Sequence, residues 1–164
     1  MDNKSGDDFP YSAIDTTTAT VRLIYISREK DDSISGKLDH FSLDFSDCPR
    51  FTTLSYVWGN KTYPNEITVN GYRFHVLESL YPVLELICDT PDLSSGWWWI
   101  DSIYINQRDD RAAKAERSSQ VHLMERIYRE LERTIGWLGQ GSEDGEVAME
   151  FLHVLVKNRW RLKS

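Results

Sequence analysis

From residue 52 onward the apolar period switches repeatedly between that of a strand and that of a helix, and this order constrains the fold more than any single motif. Thr52 to Val57 (TTLSYV) reads as a strand. Ile67–Val69 and Tyr72–Val76 flank Asn70-Gly71, a dipeptide suited to the type I′ turn with positive φ at both central residues, so a β-hairpin is expected. Leu80, Val83, Leu84 and Ile87 recur at i, i+3, i+4, i+7, the mark of a helix with one buried face. Ser79 is placed to cap it, and Pro82 falls in the first turn, where a missing N–H costs little. After a loop over 89–96, Trp97 to Ile100 reads as a buried strand ending in Asp101. A long helix is expected over 112–132, with Asp109 and Asp110 as capping residues, then a strand over Thr134–Leu138. Val147, Ala148, Phe151, Val154 and Leu155 mark a further amphipathic helix after Gly145. Strands alternating with helices in this way imply an α/β fold with a parallel-sheet core flanked by helices and functional loops at the carboxyl ends of its strands.

Upstream, Val21 to Ile26 (VRLIYI) reads as a strand, and Leu38 to Phe45, apolar at 38, 41, 43 and 45, as a weaker one. These segments and the hairpin are additions to the parallel core. The chain has 164 residues, enough for one domain with a real core. A formal charge of −7 argues against nucleic acid as a partner, because phosphate binding needs a concentrated basic face. Met1 to Asp8 is polar and acidic, unlike a signal peptide, and reads as a disordered start. No apolar run approaches the ~20 residues that cross a bilayer. Cys48 and Cys88 lie far apart without a CxxC pattern, which disfavours a disulfide framework or a metal site and fits a reducing, cytoplasmic setting.

Three groups of residues could carry chemistry. Ser55, Tyr56, Trp58 and Gly59 end a strand with a hydroxyl, two rings and a glycine, a set that could stack a nicotinamide or adenine while the backbone approaches phosphate. The plainer alternative is a core tryptophan followed by a turn glycine. Asn106 and Gln107 follow the strand that carries Asp101, and their amides could hold a ribose or satisfy a tight turn. On the long helix, Val121, Met124, Tyr128 and Leu131 define the expected apolar face, with Arg117 pointing into it and Glu116 and Gln120 on its edge. A buried Arg117 needs a partner, and Asp101 is the candidate. That network either locks helix to sheet or lines a ligand pocket. Other signals carry less. Gly139-Gln140-Gly141 mimics a dinucleotide loop, but its third glycine is out of place and Glu143 and Asp144 would repel phosphate. His40, His75, His122 and His153 show no metal-ligand spacing. In the Trp97–Trp99 run, Trp98 and Ile100 share one strand face and Trp97 and Trp99 the other, so both faces should be covered.

Three stretches in register resemble the fungal heterokaryon incompatibility (HET) domain: Leu54-Ser55-Tyr56-Val57-Trp58-Gly59, Trp99-Ile100-Asp101-Ser102-Ile103-Tyr104-Ile105-Asn106-Gln107, and Glu116-Arg117, Gln120, Met124, Ile127-Tyr128 closed by Trp137-Leu138-Gly139. Phe9-Pro10-Tyr11 and Val21-Arg22-Leu23 resemble the family's preceding segments. On this basis the domain spans 9–157, with 158–164 the start of a linker or C-terminal region of a longer chain. One departure is Tyr104, where the family usually has cysteine; a structural role is expected at that position. The resemblance implies an intracellular signalling domain of fungal allorecognition that triggers programmed cell death. HET domains also resemble Toll/interleukin-1-receptor (TIR) domains, which implies a TIR-like or flavodoxin-like sheet. In that comparison LSYVWG is similar to the first strand, WIDSIYINQ to the second and TIGWLG to the third. Many TIR domains cleave NAD with a glutamate early in the next helix. That carries to Glu150, with Glu146 one turn earlier as its competitor. NAD is then a substrate, and no cofactor or metal is called for. The alternative is a non-enzymatic module that relays a death signal by homotypic or heterotypic self-association.

Overall fold

The computed structural model describes residues 9–12, 14, 18–44, 46–104, 111–137 and 139, with the backbone alone at 104, 111–117 and 119. In chain order the elements are β1 (Thr20–Arg28), β2 (Ile34–Ser42), β3 (Phe51–Tyr56), β4 (Asn65–Val69), β5 (Tyr72–Val76), α1 (Tyr81–Asp89), α2 (Pro91–Ser94), β6 (Trp97–Trp99), α3 (Asp101–Tyr104), α4 (Arg111–Glu130) and β7 (Arg133–Trp137). The strands form one seven-stranded sheet in the order β5-β4-β2-β1-β6-β3-β7.

The sheet is mixed, and only part of it is the parallel core that the alternation implies. β3 lies between β6 and β7 and is parallel to both. The N-terminal segment is an integral part of the same sheet. β1 runs antiparallel to β2 over nine residue pairs and antiparallel to β6 at Ile24↔Trp98 and Tyr25↔Trp97. The reason is visible in β1 itself: Val21 and Leu23 are buried on one face while Ile24 and Ile26 are buried on the other, as a central strand requires. The hairpin forms as its turn residues dictate, with Asn70 at φ 50 and Gly71 at φ 83. It joins the sheet through β4, parallel to β2 at Ser35↔Thr68 and Gly36↔Val69. Asn70 secures that junction by accepting from Leu38 N at 2.9 Å and donating to Leu38 O at 2.9 Å.

Several boundaries differ from expectation for local reasons. β2 starts at Ile34, before the predicted Leu38, because the chain reverses over Asp31–Ser33. Asp32 sits there at φ 70, and the Asp31 carboxylate accepts from Ser33 N. Ser35, Gly36 and Lys37 interrupt the apolar pattern and hid this half of the strand. The 89–96 loop contains the short helix α2, and β6 stops at Trp99 so that Asp101 opens α3. Ser79 does not cap α1, whose N-cap is Leu80 without a side-chain bond; its hydroxyl is used elsewhere, as shown below. On α4 the buried stripe is rotated from the predicted one. Gln120 and Ile127 are buried and Leu123, Met124 and Leu131 are partly buried, whereas Val121 and Tyr128 are exposed.

The two faces of the sheet carry separate cores. Val83, Leu84 and Ile87 of α1 pack with Ile24, Ile26, Leu54, Trp98 and Ile100 on one. Ile127 of α4 packs with Val21, Leu23, Phe51 and Trp99 on the other. Trp98 and Trp99 thus point to opposite faces as their alternation demands, each 1% exposed. Gly36 is closely packed: a Cβ there would lie 2.6 Å from Ile24 Cδ1, so that side chain would have to shift. No helix among the described residues is long and apolar enough to cross a membrane.

Candidate functional site at the carboxyl ends of β3 and β6

β3 and β6 are adjacent and parallel, so the chain leaves both at the same edge of the sheet. Their exits are joined side chain to side chain. The Trp58 indole Nε1–H donates to both oxygens of Asp101, at 3.2 and 3.1 Å. Asp101 Oδ1 also accepts from Ser102 N at 2.7 Å, which satisfies a free N–H in the first turn of α3. Two residues before Trp58, Tyr56 OH donates to Ser102 Oγ at 2.5 Å. Ser79 Oγ holds the backbone of the β3 exit by donating to Trp58 O at 2.8 Å, and Gly59 follows at φ 61, where the chain turns away. The rings of Tyr56 and Trp58 rest on the core built around α1.

Burial raises the Asp101 carboxyl above its ordinary value; the Ser102 N–H and Trp58 N–H bonds oppose that rise. Burial likewise pushes the Tyr56 phenol well above its usual range, against the opposing bond to Ser102. Tyr128 on α4 is raised too, first by burial and then by the charge of Asp101. A neutral phenol and a half-buried carboxyl, each already hydrogen-bonded, hold the geometry of the two exits rigidly.

A second set of contacts ties the N-terminal segment to this edge. Tyr11 OH donates to Ile103 O at 3.0 Å. Arg22, 1% exposed within β1, lies 5.0 Å over the Tyr11 ring, donates from Nη2 to Ser12 O at 2.6 Å and from Nε to His40 Nε2 at 3.1 Å. Phe9 is buried against Phe74.

Of the residues singled out from sequence, Tyr56, Trp58, Gly59 and Asp101 come together at this edge. Ser55 is exposed on the other face of β3, paired in register with Gly136. Gln120 is buried and donates from Nε2 to Thr20 O at 3.3 Å, so it ties α4 to the start of β1, while its Oε1 has no partner among the described residues. Glu116 and Arg117 lie in the first two turns of α4, where the backbone alone is described; Asn106, Gln107, Glu146 and Glu150 lie outside the described residues. Sequence reasoning gave no site role to Ser102 or Arg22, and gave Ser79 the role of a helix cap. Ser102 directly follows Asp101 in a helix-opening position, and Arg22 is a charge inside an otherwise apolar strand; both were readable signals. Ser79 was assigned to the nearest helix because its partner is 21 residues away. No His, Cys, Asp and Glu grouping suited to a metal ion occurs among the described residues. A shallow groove of about 310 Å³ lies elsewhere on the sheet, between Tyr25, Ser27, Ser35 and Asn70.

The family model described as "Heterokaryon incompatibility protein (HET)" matches residues 51–164. The chain is 32% identical to "Heterokaryon incompatibility protein 6, OR allele" of Neurospora crassa, in a match that covers 68% of this chain and 18% of that protein. The chain therefore spans less than a fifth of the curated relative it matches. No solved structure matches. The family match opens at Phe51, the first residue of β3, and takes in both strand exits described above. The chain belongs to the heterokaryon incompatibility (HET) family.

Proposed function

We propose that this chain is the signalling domain of a fungal heterokaryon-incompatibility protein, acting in the cytoplasm, and that it triggers programmed cell death by hydrolysing NAD. The observation that carries the reading is the placement of β3 between β6 and β7, all parallel, with the Tyr56–Ser102 and Trp58–Asp101 pairs at their shared carboxyl edge. In doubly wound sheets that edge is where nucleotides bind. It is also the strand arrangement expected of a TIR-like sheet. In the proposed reaction the bond between the nicotinamide nitrogen and the ribose anomeric carbon breaks, the electron pair leaves with nicotinamide, and water adds to the anomeric carbon to give ADP-ribose. A carboxylate near that carbon steadies the oxocarbenium-like transition state. Glu150 is the assigned carboxylate, with Glu146 as its alternative; both follow β7 in sequence.

A second reading is favoured by a specific feature of the site. The Tyr56 hydroxyl, the Trp58 indole N–H and the Asp101 carboxylate are engaged with one another or with Ser102, as a structural lock would have them. The domain would then act without catalysis, by self-association with like domains. One experiment separates the two. Purified protein at high concentration is incubated with NAD and nicotinamide is measured, beside Glu150→Gln and Glu146→Gln. Release that is lost in Glu150→Gln supports the enzyme and its carboxylate; release lost only in Glu146→Gln moves the carboxylate. No release from folded, self-associated protein sinks the enzymatic reading and leaves the module.

A further inference from the structure

The segment ahead of β1 reaches the candidate site through one hydroxyl. Tyr11 N donates to Phe9 O at 2.9 Å, closing a three-residue turn with Pro10 at its centre, whose ring fixes φ. The turn gives its two aromatic residues separate tasks. Phe9 is buried and meets Phe74 of the hairpin edge-on at 5.5 Å. Tyr11 carries its hydroxyl to Ile103 O at 3.0 Å. That carbonyl is among the last of α3, which a helix end leaves without an intrahelical partner. A helix of four residues has no cooperative stability of its own, so the contacts at its two ends decide where it sits. At its start they are Asp101 with Trp58 and Ser102 with Tyr56; toward its end, Tyr11.

Arg22 holds Tyr11 in that place. Its guanidinium lies 5.0 Å over the Tyr11 ring and donates from Nη2 to Ser12 O at 2.6 Å. Arg22 is 1% exposed, and a buried cation is costly to strip of its partners, so the segment Phe9–Ser12 cannot lift away lightly. The anchor also lies on the right strand. Continuing the Ile24↔Trp98 register of β1 and β6 by two residues sets Arg22 opposite Ile100, one residue before Asp101. By the alternation along β1, Arg22 shares the face of Ile24 and Ile26, where Ile103 is also buried. α3 touches β1 directly. All of these contacts come from residues ahead of Phe51, where the family match opens.

We propose that Tyr11, held by Arg22, is a positioning residue for the candidate site: its hydroxyl on Ile103 O fixes α3, and through α3 it sets the Asp101 carboxylate against Trp58 and the Ser102 hydroxyl against Tyr56. The inference does not depend on NAD cleavage, since an enzyme and an interaction module both need the two strand exits held together.

Hydrogen exchange resolved by NMR on the whole 164-residue chain tests it. Tyr11→Phe keeps the ring beside Arg22 and removes only the hydroxyl. The Ser102 and Ile103 amides and the Trp58 indole N–H should then exchange about 3- to 10-fold faster, beyond any change shared with the β1–β2 ladder. Phe9→Leu is the control: it loosens the contact with Phe74 but leaves the Tyr11 hydroxyl in place. It should move those three N–H groups no more than the ladder amides. Equal acceleration of site and ladder in Tyr11→Phe would overturn the proposal, because the segment would then stabilise the sheet as a whole. Unchanged exchange at the three groups would overturn it as well, and so would a selective effect that Phe9→Leu reproduces.

Discussion

Replacing Trp58 by Phe removes the indole N–H together with its five-membered ring and leaves a smaller aromatic ring in place. That N–H is shared between the two oxygens of Asp101, at 3.2 and 3.1 Å. A hydrogen bond to an ionised group is worth about 1.5–3 kcal/mol when buried. Asp101 is half-buried and keeps its bond from Ser102 N, so water recovers part of the loss, and about 1–2 kcal/mol is expected. The change in ring volume adds a packing term of its own, so the single variant is not diagnostic. A double-mutant cycle with Asp101→Ala cancels that term. Urea denaturation of wild type, both single variants and the double variant at pH 7 should give a coupling of about 1–2 kcal/mol. In a domain of this size that coupling corresponds to about 2–8 °C in melting temperature. Additive variants, within about 0.5 kcal/mol, would refute the claim that this contact joins the β3 and β6 exits. The Trp58 bond would then be a geometric coincidence.

Asp101→Asn tests the electrostatics of the same site. Burial raises the folded carboxyl above its ordinary 3.8, so the folded state holds its proton longer than the unfolded state does. The favourable term is present below 3.8 and is lost as pH rises through the raised folded value. Wild type should therefore lose stability relative to Asp101→Asn as pH rises through that window and show no further change above it; an opposite slope in paired denaturation curves would contradict the assignment. Gly36→Ala places a methyl 2.6 Å from Ile24 Cδ1, the far end of a flexible side chain. Overpacking of about 1–3 kcal/mol, partly offset by the gain of about 0.5–1 kcal/mol from replacing a strand glycine, should leave a net loss readable as a lower denaturation midpoint. A variant as stable as wild type would mean that β2 and β1 yield more easily than the packing indicates.

The candidate site was legible in the sequence as a set of residue types, but not as a set of pairs. Tyr56, Trp58 and Asp101 stood out because rings and a carboxyl at strand ends are chemically informative. Their partners Ser102 and Ser79 did not, because a serine hydroxyl has no preference visible in sequence until its neighbour is known. The expected role of Ser79 as a helix cap failed for that reason: the Trp58 carbonyl, distant along the chain, offered a better bond than the nearby helix end. On α4, apolar spacing alone allows more than one stripe. Val121 and Tyr128 fit the expected one, yet the sheet selected the stripe of Gln120 and Ile127.

What the sequence determined by itself is local. The Asn70-Gly71 turn, the period-2 run of β1, the alternation of Trp98 and Trp99 between two faces and the helical period of α1 all follow from backbone sterics and solvent avoidance within a few residues. Family membership was also readable there, because it rests on residue identities in order. Tertiary structure decided which strands became neighbours. The antiparallel entry of β1 between β2 and β6, and the attachment of the hairpin through β4 to β2, depend on which apolar faces could be covered together. No window of sequence contains that information, because burial is a property of the assembled sheet: a strand is central only once both of its faces have been given something to touch.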